Sequence, residues 1–215
     1  NILKPIPRDL DNAGQVPANE HLTMQAAKQV YGIEVAQNAL MFFKNGEPAY
    51  LTRRFDVRAD GTKRAVEDFA SLAGKTEESG GRNFKYDYSY EEVGLLIRKL
   101  LPAWQLEIEK FFRLVVFNYL FSNGDTEEGD HILSPAYDLL NTRLHVADTP
   151  MALRLFREGN KQGYPTYKEF VELGARLGIR QKRIVKLLAP FCDRQEAVYD
   201  MIGRSFLNSS ARNGY

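Results

Sequence analysis

The chain has 215 residues, 44% hydrophobic and 27% charged, enough apolar side chains for one compact domain or for two small lobes sharing a cleft. Its 29 basic and 28 acidic side chains leave a net charge of +1, which points to neither nucleic acid nor an anionic membrane as a partner. No apolar run approaches the ~18 residues of a membrane span, and the single cysteine, Cys192, rules out an internal disulfide and fits a reducing, cytoplasmic compartment.

In chain order, residues 2–5 read as a short strand and residues 8–16 as a polar loop. Asn19 is a fair N-cap for a helix over residues 20–31, ended by Gly32. Residues 33–43 are β-rich. Lys44-Asn45-Gly46-Glu47 carries an Asn-Gly turn signal, and residues 49–55 return as a strand. The chain opens inside what reads as a strand, so residues before Asn1 are expected. Three strands make a thin sheet with open edges, which further strands or a partner chain should cover.

After Asp60-Gly61 the character turns helical. Residues 66–72 give a short helix, and residues 80–88 an aromatic and polar loop. Ser89-Tyr90-Glu91-Glu92 is a capping box opening a helix that stops before Pro102. Residues 104–121 form a long helix, apolar all round in its second half, as befits a helix inside a core. Residues 132–135 look like a short strand. The remainder is helical, with further capping boxes at Thr166-Tyr167-Lys168-Glu169 and Asp193-Arg194-Gln195-Glu196, and with Gly178 separating two helices. Residues 209–215 are small and polar and should fray. The layout is α+β: a strand-rich part over residues 1–57, a larger helical part over residues 58–215, and a hinge near residues 55–61. A cleft between such parts is the default ligand site.

Three places could carry chemistry. Asp125 follows the buried helix directly, with Gly124 able to end that helix. Asn123-Gly124-Asp125 is also ordinary turn chemistry, and by spacing alone the turn is the simpler reading. Asp138 sits among Ala, Tyr and Leu side chains, where a carboxylate needs a cation, a set of donors or a metal, unless it caps a short helix. Two aspartates meeting at a cleft would suit magnesium on phosphate oxygens. Lys4 lies in an apolar strand and Glu20 near the start of the first helix. Such a pair can position a phosphate, although a surface lysine can equally cover apolar area with its stem. His21, His131 and His145 show no ligand spacing, and no zinc site follows from them. Arg176, Arg180, Lys182, Arg183 and Lys186 read as a solvated helix face.

The series Ile2-Leu3-Lys4-Pro5, Asn19-Glu20-His21-Leu22-Thr23-Met24, Tyr50-Leu51-Thr52-Arg53-Arg54-Phe55-Asp56, Val66-Glu67-Asp68-Phe69, Phe121-Ser122-Asn123-Gly124-Asp125 and Leu133-Ser134-Pro135-Ala136-Tyr137-Asp138-Leu139-Leu140-Asn141-Thr142 resembles the C-terminal kinase domain of the HipA-like family. These are serine/threonine kinases of bacterial toxin–antitoxin modules. The resemblance covers roughly residues 1–157. It implies a bilobal protein-kinase-like fold, ATP and Mg2+ as cofactors, and phosphoryl transfer to a protein. It implies that Lys4 contacts the ATP phosphates and that Arg53, Arg54 and Phe55 form the adenine-binding hinge with Asp56 just beyond. Asp125 would be the catalytic aspartate and Asp138 the metal ligand. Glu20 as the partner of Lys4 follows by position. A translation factor such as an aminoacyl-tRNA synthetase would be the substrate, and a DNA-binding antitoxin a partner, with no direct nucleic-acid contact expected.

Two departures stand out. The family's catalytic loop continues as x-His-x-Lys-Asn-Phe-Ser, whose asparagine holds a metal, whereas Asp125 is followed by Thr126-Glu127-Glu128-Gly129-Asp130. The Gly-rich phosphate loop should precede Lys4 and does not appear. Either the junction between Asp125 and Thr126 hides missing residues, or the chain is a pseudokinase that binds nucleotide or a partner without transferring phosphate. A helical adaptor with no nucleotide site is a more distant alternative.

Overall fold

A computed structural model describes residues 1–67, 69–72, 74, 88–123, 133–147, 151–158 and 164–215. Strands β1 (Ile2–Lys4), β2 (Asn38–Phe42) and β3 (Pro48–Thr52) form an antiparallel sheet in the order β1-β3-β2. Lys4 and Leu40 both lie opposite Tyr50, so the three share one face. That face meets helix α1 (Val16–Gln25). The Asn-Gly turn closes the β2–β3 hairpin as the sequence predicts, with Asn45 bonded to Glu47.

Helix α1 begins four residues earlier than Asn19 predicts. Pro17 lies at its start, where its fixed φ suits a helix and its missing N–H costs nothing. Asn19 is therefore inside the helix, not its cap. The helix runs on as a π-turn over Ala26–Val30 and stops at Gly32, whose φ of 60° closes the end. The guanidinium groups of Arg113 and Arg194 donate to the carbonyls of Tyr31 and Val30 at that end.

Helices α2 (Phe69–Leu72), α3 (Tyr90–Leu100), α4 (Trp104–Leu120), α5 (Tyr167–Arg176), α6 (Gln181–Asp193), α7 (Gln195–Gly203) and α8 (Ser209–Gly214) complete the described α-helices, and short 3-10 turns cover Ala13–Gln15 and Thr142–Leu144. Ser89 caps α3 in the predicted box, and Thr166 caps α5. The box at Asp193 does not form. Asp193 is still helical as the last residue of α6, so it cannot take the extended conformation of a cap, and Arg194 stands alone between α6 and α7.

Helix α4 is the centre of the core, with Phe111, Phe112, Leu114, Val115, Val116 and Phe117 buried. The Tyr31 ring at the end of α1 stacks on Phe191 at 4.5 Å and meets the edges of Phe117 and Phe121, which ties α1 to α4 and α6. Gly94 lets α3 approach α5, since a Cβ there would lie 2.0 Å from Leu177. Of the predicted strand over residues 132–135, the described residues 133–135 are not strand, and pairing is limited to one parallel bridge just beyond them, Val35 with Ala136. The C-terminal residues do not fray. Leu207 and Ala211 pack with Ala18 and Leu22 of α1, and Tyr215 reaches Thr23.

Candidate functional site

The sheet and α1 bring three predicted residues together. Lys4 Nζ lies 2.8 Å from Glu20 Oε1 and 2.5 Å from Asp138 Oδ1. Lys4 comes from the strand, Glu20 from the first buried turn of α1, and Asp138 from the segment after the Val35–Ala136 bridge. Tyr50, buried on the same sheet face, lies under the ammonium at 5.6 Å from its ring centre. Asp138 has a φ of 55°, in the left-handed region that a non-glycine residue occupies only when its surroundings hold it there.

Asp138 is exposed, contrary to what its apolar sequence neighbours suggest, so burial acts on Glu20 and Lys4 rather than on it. Glu20 is buried, and desolvation pushes its carboxyl up from 4.5 to about 7 against the pull of Lys4, with the charge of Asp138 adding to the rise. Burial also works on Lys4, downward, but Glu20 and Asp138 together outweigh it and raise the lysine. The two partners thus point opposite ways for their shared contact. The geometry decides it: one ammonium within hydrogen-bond reach of two carboxylates stays charged, while the more buried carboxylate gives up part of its ionisation. An ammonium that turned from Asp138 to a phosphate while keeping Glu20 would leave a hard carboxylate oxygen of Asp138 open to a cation. No cluster of three metal-ligating side chains occurs among the described residues.

The predicted hinge lies alongside. The Phe55 and Tyr137 rings pack 5.1 Å apart, which brings Phe55 to the segment that carries Asp138. Arg54 and Asp56 form a two-pronged ion pair with each other. The Arg53 N–H is donated to Gln37 O at 2.8 Å, and its side chain to Gln37 Oε1, so this amide is already engaged. Asp125, and with it the junction to Thr126, lies outside the described residues.

Sequence reasoning missed a polar seam behind this group. Asn19, Asn123, Asn141 and His145 are all buried. Asn19 meets Asn141 and His145, and Asn123 Oδ1 accepts from Leu140 N at 3.1 Å. The available signal was Pro17, which places the helix start upstream of Asn19 and leaves that side chain needing another partner.

A lysine on a short strand, a glutamate on the helix behind it and an aspartate on a loop beneath both are the framework of a kinase-like protein. The family model of the HipA-like C-terminal domain matches residues 1–199, and the chain belongs to that family. It is 26% identical to the putative kinase Y4dM of Sinorhizobium fredii, over 86% of this chain and 48% of that protein. The chain thus spans about half the length of this curated relative. Its fold is similar to that of Shewanella oneidensis HipA, solved with HipB and operator DNA, at a TM-score of 0.65 and 19% identity, covering 93% of this chain and 52% of that one. It is also similar to the Helicobacter pylori proinflammatory kinase CtkA, at a TM-score of 0.60 and 14% identity, covering 98% and 82%.

Proposed function

We propose that this chain is the catalytic part of an ATP- and magnesium-dependent serine/threonine kinase of the toxin–antitoxin type. The observation that carries the reading is the meeting of Lys4, Glu20 and Asp138, residues 134 positions apart at the extremes, in one ion-paired group. Lys4 would hold ATP phosphate oxygens, with Glu20, 2.8 Å from its ammonium, keeping it pointed there. Asp138 would hold Mg2+, which would supply charge neutralisation on the phosphates. Residues 53–55 would receive the adenine through backbone groups, with Asp56, the ion-pair partner of Arg54, just beyond them. Asp125 orients or deprotonates the substrate hydroxyl.

The complex of HipA with HipB and DNA supports an antitoxin as a partner of this chain too. The substrate is a protein, with a translation factor or aminoacyl-tRNA synthetase the first to try. No described helix is long and apolar enough to cross a membrane. The pseudokinase reading keeps one observation in its favour, the absence of an asparagine in residues 126–130. Both are tested by incubating the full-length protein with labelled ATP and Mg2+. Phosphate transfer that disappears in Asp138→Ala and Asp125→Ala supports the kinase. Nucleotide binding with no transfer by the unmutated protein establishes the pseudokinase.

A further inference from the structure

We propose that Asn19 is a positioning residue that clamps the Asp138-bearing segment to helix α1. The proposal rests on the kinase reading of the Lys4–Glu20–Asp138 group and names what holds that group in register.

Asparagine is a poor residue for a helix interior, yet Asn19 sits there fully buried. Its side-chain amide is bonded on every side. Nδ2 donates to Asn141 O at 2.9 Å, and Oδ1 accepts from Asn141 N at 3.2 Å and from Thr23 Oγ1 at 3.2 Å. The side chain therefore pairs with the backbone of Asn141 as a neighbouring strand would. Its orientation is fixed, because exchanging its oxygen and nitrogen would set donor against donor and acceptor against acceptor. The second Nδ2 proton then goes to His145 Nε2 at 2.8 Å. That leaves the imidazole proton on Nδ1, which donates to Asp11 O at 2.8 Å.

Asn141 is three residues beyond Asp138. On its other side the segment is held by Ser122, whose carbonyl accepts from Thr142 N and Oγ1, and by Asn123. Adjacent residues of α1 thus make two rungs to the same loop. Glu20 reaches Asp138 through Lys4, and Asn19 reaches Asn141 directly. The first rung must open when a phosphate takes Lys4. The second is independent of Lys4 and keeps the segment in place.

The contact uses the backbone of Asn141, not its side chain. Asn141 Nδ2 donates to Tyr215 O, and Oδ1 has no hydrogen-bond partner among the described residues. Asn141→Ala is therefore the matched control. In the full-length protein, Asn19→Ala should lower the phosphoryl-transfer rate by at least ~10-fold and raise the magnesium concentration for half-maximal rate by a similar factor, as loss of an outer support does to a metal site. Asn141→Ala should stay within about 3-fold on both. Without nucleotide, exchange of the Asn141 amide should speed up at least ~10-fold in Asn19→Ala only. If Asn19→Ala does not fold, two readings on the unmutated protein still decide. The Asn141 amide must exchange slowly, and the 15N spectrum of His145 must show the Nδ1–H tautomer. A folded Asn19→Ala with unchanged exchange at Asn141, or with unchanged turnover and magnesium dependence, overturns the proposal. An unmutated protein that neither binds Mg–ATP nor transfers phosphate overturns the kinase reading, while the exchange measurement still judges the clamp.

Discussion

Helices α1 and α4 are both buried, and they are buried for different reasons. Helix α4 hides chiefly phenylalanines and valines, which favour burial outright, with Glu107 and Asn118 its two buried polar side chains. Helix α1 hides Asn19, Glu20 and Thr23 between Ala18, Leu22 and Met24. Each of those polar groups costs free energy on leaving water and recovers it only through partners in the right place. One helix thus holds the molecule together, and the other holds the candidate site together at some expense to stability.

Substitutions can break this contrast. The largest effect is expected on activity: Asp138→Ala should lower phosphoryl transfer by about 10³-fold or more, equivalent to about 4 kcal/mol, with little change in the urea midpoint. In α4 the pattern should invert. Phe112→Ala, at a fully buried position, should cost about 3–5 kcal/mol in urea unfolding, and should reduce activity only in proportion to the folded fraction.

Glu20 sharpens the comparison through pH. Its carboxyl is raised from 4.5 to about 7 by burial, so the folded state holds that proton more tightly than the unfolded state. The stability linked to it is complete at pH values below about 4.5 and is lost as pH rises through about 7. Measured against Glu20→Gln, which stays neutral, the unmutated protein should lose up to about 3 kcal/mol between pH 4.5 and pH 7.5. A flat difference between the two would show that Lys4 compensates the burial fully.

The smallest effects concern caps. Ser89→Ala should cost about 1 kcal/mol, because it removes a side chain that closes the start of α3. Asp193→Ala should cost less than about 0.5 kcal/mol, because that residue caps nothing. Both follow from thermal or urea unfolding curves.

The features that were legible in the sequence rest on local chemistry. The Asn45-Gly46 hairpin, the Ser89 and Thr166 boxes and the apolar α4 need only nearby residues to form. The pairing of Lys4 with Glu20 was also readable, because strand and helix follow each other closely. What was not legible depends on distant partners. Asp193 matches a capping pattern but is overruled by the continuation of α6. Asn19 looks like a cap because its true partner, Asn141, is 122 residues away. Tyr215 looks like part of a loose tail because nothing local shows that its hydroxyl reaches Thr23.

The account turns on Lys4 meeting nucleotide phosphates beside Asp138. Its most direct test is amine-reactive labelling of Lys4 in the full-length protein, read by mass spectrometry with and without ATP and Mg2+. Mg–ATP should shield Lys4 from the reagent in the unmutated protein. The shielding should be lost when magnesium is chelated and in Asp138→Ala. Labelling of Lys4 that is the same with saturating Mg–ATP as without it would contradict the assignment.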